Sequence, residues 1–307
     1  MKITRREAII DIVLLSLSGI FLDGCGKKRS EVLLKNPDKR VTDYPGYVVQ
    51  VYGEDPYRIT KKAIDLLGGM KTFVKKGEKV LIKPNIGFNR PSYFGSDTNP
   101  MVVKAVAEEV LKVGPSQVIV ADYTLYNPKS CYKRSGIYDA LKGLDVEVKY
   151  VSQFDFVKVD IGGKFIKEWE IYRYFLDVDR VINVPVLKQH SLAGLSMAMK
   201  NLMGVIGGKR SYFHRDLSNA LVDLNSFLHP TLNILDCYRV IVKNGPQGGG
   251  IKDTVLKKSV IAGVDVLSVD FYGALLMGYG DSLPGYIIEG KKRNLGELDR
   301  ELKTVEI

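Results

Sequence analysis

The sequence contains few of the side chains that usually hold metal ions. Its 307 residues include three cysteines and three histidines. The cysteines form no C-x-x-C pair and the histidines form no H-x-x-x-H pair, so the spacings typical of zinc sites and ferredoxin-type clusters are absent. We therefore predict no metal-binding residues and no iron–sulfur or zinc ligand set. A redox or metal cofactor of another kind is left open, and its identity is unknown.

Long hydrophobic runs are also absent. The apolar run Ile12–Leu22 has about eleven residues, whereas a membrane-spanning helix needs about twenty. The basic residues 1–6 precede this run, and Leu22-Asp23-Gly24-Cys25 follows it. That order is typical of a secretory signal, and we predict an export signal over residues 1–25.

Both ends of this segment resemble export motifs. Thr4-Arg5-Arg6-Glu7-Ala8-Ile9 is similar to a twin-arginine signal, and Leu22-Asp23-Gly24-Cys25 is similar to a bacterial lipobox, in which the cysteine is lipidated. The resemblance implies an exported lipoprotein that the lipid on Cys25 anchors to a cell-envelope membrane. An uncleaved apolar helix, packed on the body or lying in a membrane interface, is the alternative.

The charge of the chain is positive, with a formal net value of +10. Such a surplus favours anionic partners, which include phospholipid head groups, nucleic acid and acidic small molecules. The sequence has no arginine-rich arm and no zinc-knuckle spacing, which disfavours nucleic acid. An ordinary solvated surface is the alternative, because lysine and glutamate are interspersed along most of the chain.

The rest of the chain divides into a polar segment and a folded body. Residues 26–45 are charged and read as a tether, and residues 46–307 alternate between strand and helix patterns without a dividing linker. This alternation predicts an α/β domain with a mostly parallel, doubly wound sheet and helices on both faces. We predict one domain and leave a bilobed form open. The clearest predicted helices of the second half are Leu192–Met203, Leu217–Phe227 and Val266–Leu276.

Polar residues follow four predicted strands. Lys83 and Asn85 come after Val80-Leu81-Ile82, and Asp122 comes after Val118–Ala121. Lys188 and His190 follow the strand Val181–Val184, and Asp236 follows Ile234-Leu235. In open α/β sheets, ligands bind beyond the carboxyl ends of the strands. We therefore expect these side chains to share one rim.

Lysine and histidine are the reactive candidates at this rim. A lysine behind a buried strand needs water, a carboxylate or an anionic ligand. Lys83 and Lys188 could therefore hold a ligand, or each could pair with Asp122 or Asp236 or extend to solvent. His190 suits proton transfer or metal ligation, and it could equally cap a loop.

Further candidates lie downstream. Lys200 and Asn201 stand in a segment that otherwise reads as a buried helix end, where a surface lysine is the alternative. His214 lies in a basic loop. Residues 204–210 could cradle an anion, and the glycine-rich residues 245–250 form either a loop that closes on a ligand or an ordinary loop.

Several of these motifs together resemble the domain of unknown function 362 family. The resemblance runs from about Val80 to Leu283 and includes the segments Asp97-Thr98-Asn99-Pro100 and Lys200-Asn201-Leu202-Met203-Gly204. It implies a shared fold, with no reaction assigned. Some members carry appended ferredoxin clusters, which this chain lacks. The polar site that the resemblance implies comprises Lys83, Asn85, Asp122, Lys188, His190, Lys200 and Asn201.

Two functions follow as hypotheses. The first is an exported, membrane-anchored enzyme or cofactor-dependent catalyst acting on a small anionic substrate. The second is a lipid-anchored protein that binds an anionic ligand or a redox partner without catalysis. The reaction class stays open, as does any pairing of Cys131 with Cys237. The catalytic candidates are Lys188, His190 and Lys83, and the ligand-binding candidates are Asn85, Asp122, Lys200, Asn201, His214 and Asp236.

Overall fold

The computed structural model describes residues 39–40 and 42–307 of the chain. The predicted export signal, its lipidation site Cys25 and most of the predicted tether lie outside these residues. Within the described part, no helix combines the length and the apolar character that a membrane crossing requires.

The described residues contain twelve strands and nine α-helices. The strands are β1 Val48–Tyr52, β2 Lys79–Pro84, β3 Gln117–Asp122, β4 Glu147–Tyr150, β5 Phe156–Asp160, β6 Glu168–Tyr172, β7 Arg180–Val184, β8 Val186–His190, β9 Gly194–Ser196, β10 Leu232–Ile241, β11 Thr254–Gly263 and β12 Leu302–Glu306. The helices are α1 Pro56–Leu66, α2 Pro100–Lys112, α3 Pro128–Arg134, α4 Ile137–Ala140, α5 Arg173–Asp177, α6 Ala198–Asn201, α7 Leu217–Phe227, α8 Val266–Leu276 and α9 Gly285–Lys292.

One ten-stranded sheet organises the molecule. Eight of its strands lie in the order β12-β1-β11-β10-β7-β2-β3-β4, and β8 and β9 extend it beside β10. The central pairs β10–β7, β7–β2, β2–β3 and β3–β4 are parallel, whereas β11 is antiparallel to both of its neighbours. The predicted α/β class with a mostly parallel sheet and a single domain is confirmed. A separate hairpin of β5 and β6 lies off the main sheet.

Both faces of the sheet are buried, which explains the nearly continuous apolar runs of the central strands. In β2, Val80 and Ile82 belong to the core that α1 and α2 cover, and Leu81 between them belongs to the core on the other face. Helix α2 begins at Pro100, because Asn99 Oδ1 accepts the backbone N–H of Met101 at 2.9 Å and proline suits the first turn of a helix.

The predicted helix over residues 192–203 is α-helical only at Ala198–Asn201 and is wrong before that point. The chain instead turns back at Gly194, which has a φ of +73°, and β9 pairs with β8 before the short helix α6 begins. The error has a physical cause, since Leu195, Met197 and Met199 are all fully buried and a buried strand and a buried helix share that apolar composition. The segment that follows the predicted strand Val181–Val184 is itself a strand, β8.

Two observations bear on the segments before the body and on the cysteines. Lys39, inside the predicted tether, is fully buried, and its Nζ donates to the carbonyls of Leu176 and Val178 at 3.3 and 2.5 Å. At least this residue of the predicted tether thus packs against the folded body.

Cys131 and Cys237 are both buried and form no disulfide in the described structure.

Candidate functional site

A cavity lies where the chain reverses its direction of winding across the sheet. From β2 the chain proceeds to β3 and β4 on one side, and it then returns to β7 on the other side of β2. Such a reversal leaves a crevice outside the carboxyl ends of the two strands, where the following segments diverge. The cavity measures about 320 Å³, which is near the lower end of ligand pockets at about 300 Å³. We refer to it as the rim cavity.

The structure brings most of the predicted site residues to this cavity. Its wall includes seven of the nine, and the two others, Lys83 and Asp236, do not line it. The seven are Asn85, Asp122, Lys188, His190, Lys200, Asn201 and His214.

Lys83 lies directly behind the wall. Its side chain is fully buried, and its Nζ donates to Asp122 Oδ1 at 2.6 Å, to Pro84 O at 2.8 Å and to Asn201 Oδ1 at 3.2 Å. An ammonium group has three protons, so these contacts occupy all of them. Burial lowers the pKa of Lys83, and Asp122 opposes that shift. The ion pair therefore holds the floor of the cavity and leaves Lys83 no donor for a ligand.

Two asparagines, Asn85 and Asn201, form a chain of hydrogen bonds in the cavity wall between the end of β2 and α6. Asn201 donates from Nδ2 to Asn183 Oδ1 at 2.8 Å and accepts at Oδ1 from Asn85 Nδ2 at 3.1 Å. Asn85 in turn accepts at Oδ1 from Lys188 Nζ at 2.7 Å. This chain of hydrogen bonds fixes the orientation of each amide, because every donor has an acceptor next to it.

Lys188 is held under the cavity by protein contacts. Its Nζ also donates to Ser96 O and lies 5.0 Å from the centre of the Phe88 ring. Burial lowers the pKa of Lys188 and raises the pKa of the neighbouring carboxyl of Asp97, and each opposite charge limits the shift of the other. Asp97 Oδ1 accepts the Phe88 N–H at 3.0 Å, whereas its buried Oδ2 has no hydrogen-bond partner in the described structure.

Lys200 and Arg210 give the cavity its uncompensated charge. Among the described residues, no side chain forms a hydrogen bond or ion pair with Lys200 Nζ. Arg210 donates only to the carbonyls of Tyr123 and Thr124, at 3.0 and 3.3 Å. Burial, together with the positive charges of Lys188 and Arg210, lowers the pKa of Lys200 to about 7.

The histidines stand side by side at the cavity. The rings of His190 and His214 are stacked, with centres 6.3 Å apart. His190 Nδ1 accepts the backbone N–H groups of Leu192 and Ala193 at 3.1 and 3.3 Å. Burial and the nearby cations lower the pKa of His190 to about 3, so its ring is neutral at pH 7 and carries its proton on Nε2. Burial also lowers the pKa of His214.

The two glycine-containing segments, residues 204–210 and 245–250, form part of the cavity wall. A Cβ atom on Gly204 would lie 1.9 Å from Asp122 Oδ1 and 2.6 Å from Lys83 Nζ, so only glycine fits over the ion pair. In the predicted cradle, the N–H of Gly207 donates to Glu170 O and is not free for a ligand. Pro246 of the second loop lines the cavity, and the Gly245 N–H donates to Gln189 Oε1 at 2.6 Å.

Comparison with known proteins places this chain in a family. The family model of DUF362, a domain of unknown function, matches residues 80–275, which include every predicted site residue except Cys25. The chain belongs to the DUF362 family. The resemblance read from the sequence motifs is thereby confirmed.

A curated relative of this DUF362 protein is the thylakoid-associated protein sll1697 of Synechocystis sp. (strain ATCC 27184 / PCC 6803 / Kazusa). The two are 29% identical over 225 residues, which cover 68% of this chain and 65% of the relative. This chain thus spans about two thirds of the length of that relative.

Two solved structures are similar to this chain at a low level. The lactate racemase apoprotein from Thermoanaerobacterium thermosaccharolyticum gives a TM-score of 0.45 at 13% identity, covering 74% of this chain and 55% of that one. A protein from Thermotoga maritima gives a TM-score of 0.40 at 14% identity, with coverages of 62% and 52%.

Asp236 was predicted at the rim of the DUF362 site, and the structure places it elsewhere. Asp236 lies within β10, where its two carboxylate oxygens accept the backbone N–H groups of Asn99 and Tyr238, at 2.8 and 2.9 Å. Burial raises its pKa to about 6. It anchors the start of α2 and does not line the cavity.

The candidate site residues omitted Arg210 and the Asp97 carboxyl, although Arg210 is the last residue of the possible anion cradle over residues 204–210. The structure places Arg210 in the cavity wall, so its position in that segment was the available signal. Across residues 39–40 and 42–307, no group of three His, Cys, Asp or Glu side chains is arranged to hold a metal ion.

Proposed function

We propose that this DUF362 protein is an enzyme that acts on a small anionic molecule in the rim cavity. The observation that carries the proposal is the charge of the cavity wall. Lys200 and Arg210 both line it, and in the described structure neither has a carboxylate partner. A ligand carboxylate or phosphate would supply the missing negative charge, and partial burial of both cations strengthens the attraction.

The wall also offers groups that suit catalysis. Lys200, with a pKa of about 7, is present near neutral pH both as an ammonium and as a free amine. His190 presents an Nε2–H donor that is fixed by the two backbone bonds to Nδ1. A fixed donor of this kind stabilises negative charge that develops on a substrate oxygen. In this proposal Lys188 adds positive charge, and Lys83 positions Asp122 and Asn201.

The apolar part of the wall limits the size and shape of the ligand. Phe88, Leu125 and Met203 line the cavity beside the cations. A molecule with one anionic end and a short carbon skeleton fits both surfaces, whereas a polymer or a large nucleotide exceeds the volume of about 320 Å³.

A ligand screen with the full-length chain tests the proposal. Thermal unfolding is followed against short carboxylates and phosphates for the wild type, Lys200→Met and Arg210→Met, with the exposed Lys76→Met as the matched control. We expect at least one anion to raise the melting temperature of the wild type and of Lys76→Met, and to lose that effect in the cavity variants. An equal response of all four proteins would contradict the proposal.

The alternative is an anion-binding or redox-partner protein without catalysis. One observation favours it: Asp122 is the only carboxylate of the described cavity wall, and Lys83 and the Ile86 N–H already occupy its oxygens. The wall thus has no free carboxylate base. Proton NMR of the bound anion over time separates the two functions, because a catalyst converts the ligand and a binding protein returns it unchanged.

We also propose that the chain is exported and held at a membrane by its N-terminus. The basic start, the apolar run Ile12–Leu22 and Cys25 support this location, and the curated relative is named a thylakoid-associated protein. Fractionation of cells that express the wild type and Cys25→Ser tests it. We expect the wild type in the envelope membrane fraction and the variant released from it; equal partitioning would contradict lipid anchoring.

A further inference from the structure

Lys200 is the one described lysine of the cavity wall whose Nζ has no hydrogen-bonding partner. The other wall lysine, Lys188, donates to Asn85 and Ser96. Lys83, behind the wall, uses all three of its protons. A lysine amine that faces a ligand cavity and has no carboxylate partner does not form a structural ion pair. It is free to react with whatever occupies the cavity.

The backbone of Lys200 is held firmly although its side chain is free. At the start of α6, the N–H groups of Ala198 and Met199 donate to the two oxygens of Asp270, at 2.7 and 3.0 Å. On the other side, the Asn201 side chain is tied into the amide network of the wall. The backbone that bears the Lys200 side chain is therefore fixed, which helps to position a catalytic nucleophile.

The charges that shift the pKa of Lys200 are positive. The positive charges of Lys188 and Arg210 disfavour the protonated form of its amine. The stacked rings of His190 and His214 line the same wall. Neighbouring cations favour the neutral amine, which is the nucleophilic form, and the same cations attract an anionic substrate. Lysines in such surroundings form Schiff bases with carbonyl compounds.

We infer that Lys200 forms a Schiff base with small 2-oxo carboxylates, in which the carboxylate binds Lys188 and Arg210 and thereby brings the adjacent carbonyl carbon to Nζ. This inference rests on the proposed function, because it needs the cavity to bind an anion. The cavity volume of about 320 Å³ suits a substrate of this size.

The reaction balances without an added oxidant or reductant. The Nζ lone pair forms a bond to the carbonyl carbon, and the π electrons of the carbonyl move to its oxygen. The two amine protons then leave with that oxygen as water when the carbon–oxygen bond breaks, and a carbon–nitrogen double bond remains. The His190 Nε2–H stands in the same wall as a donor for the oxygen while it carries negative charge.

Borohydride trapping tests the inference. The full-length chain is incubated separately with pyruvate, glyoxylate and 2-oxoglutarate, each with sodium borohydride, and analysed by intact mass and peptide mapping. For pyruvate we expect one addition equal to pyruvic acid less one oxygen atom, located on Lys200. The trapping rate should rise from pH 6 to pH 8. Lys200→Arg keeps the positive charge and should reduce labelling to the level without a 2-oxo acid, and Lys76→Arg should label as the wild type does.

Calorimetry with the same acids, without borohydride, separates the two possible failures. Binding of a 2-oxo acid without a covalent product on Lys200 overturns the Schiff base and leaves the proposed function standing. Absence of binding by every anion overturns both. Labelling spread evenly over exposed lysines, or unchanged in Lys200→Arg, also overturns the inference.

Discussion

Lys83 Nζ and Asp122 Oδ1 lie 2.6 Å apart at the floor of the rim cavity, with the lysine side chain fully buried and that of Asp122 2% exposed. The two residues stand at the ends of neighbouring parallel strands, β2 and β3. Gly204 passes directly over the pair, and its carbonyl accepts the Tyr123 N–H at 3.1 Å. The pair therefore joins two strand ends and the segment that follows Lys200.

Removal of one partner of this pair should destabilise the fold strongly. Lys83→Met leaves the Asp122 carboxylate buried without its counter-ion, and we expect a loss of about 3–5 kcal/mol in the free energy of unfolding. Urea denaturation of the full-length chain measures it. Lys291→Met breaks the exposed pair with Glu297 at 2.6 Å and serves as the control, with an expected cost of about 0–1 kcal/mol. Equal costs for the two variants would refute the structural role of the pair.

Gly204 should tolerate no side chain. The added methyl of Gly204→Ala would overlap Asp122 Oδ1, which Lys83 and the Ile86 N–H hold in place, so we expect a loss of about 1–3 kcal/mol and weaker ligand binding. Gly250→Ala is the matched control, because a Cβ there meets no atom within 4 Å and its φ of 179° suits any residue. The comparison is made by urea denaturation, and a neutral Gly204→Ala would show that the close approach is not present in solution.

The charge of Lys200 should make stability depend on pH. Its pKa falls from the ordinary 10.5 to about 7 in the folded chain. Below pH 7 both states bind the proton, and the folded state bears the full cost of a charged Lys200. As the pH rises from 7 towards 10.5, the folded state releases the proton first, so the wild type gains stability relative to a variant without the amine.

Lys200→Met should therefore be most favoured over the wild type below pH 7, and this advantage should shrink up to pH 10. Denaturation in zwitterionic buffers at pH 6 and pH 9.5 measures the difference, with Lys76→Met as the control that shows no such trend. A difference between wild type and Lys200→Met that stays constant with pH would disprove the lowered pKa.

His190 should remain neutral across the physiological range. Its pKa of about 3 and its two backbone bonds to Nδ1 predict the Nε2–H tautomer at pH 7. Nitrogen-15 NMR of the imidazoles, with His190→Gln to assign the signals, reports both properties. We expect no titration of His190 between pH 5 and pH 8, and a midpoint near its ordinary value of 6.5 would contradict the buried geometry.

Local patterns in the sequence predicted the larger elements well. The helices Leu217–Phe227 and Val266–Leu276 have the predicted bounds, and the start of α2 follows from Asn99 and Pro100. These features depend on neighbours along the chain, such as capping side chains and helical spacing. By contrast, the periodicity of residues 192–203 predicted the wrong element at its start, because residues 195–199 are all buried and leave no polar positions that distinguish a strand from a helix.

The sequence by itself determined the α/β class, the family and the collection of polar residues at strand ends, because side-chain patterning and motif order are written along the chain. Only the tertiary structure decided which lysine is free. Lys83, Lys188 and Lys200 are alike in sequence, yet Asp122, Asn85 and Asn201 come from distant segments to engage Lys83 and Lys188, and none of them engages Lys200. The same long-range packing removed Asp236 from the cavity wall and placed Arg210 in it. Reactivity depends on these through-space partners, and their pairing is set only when the sheet assembles.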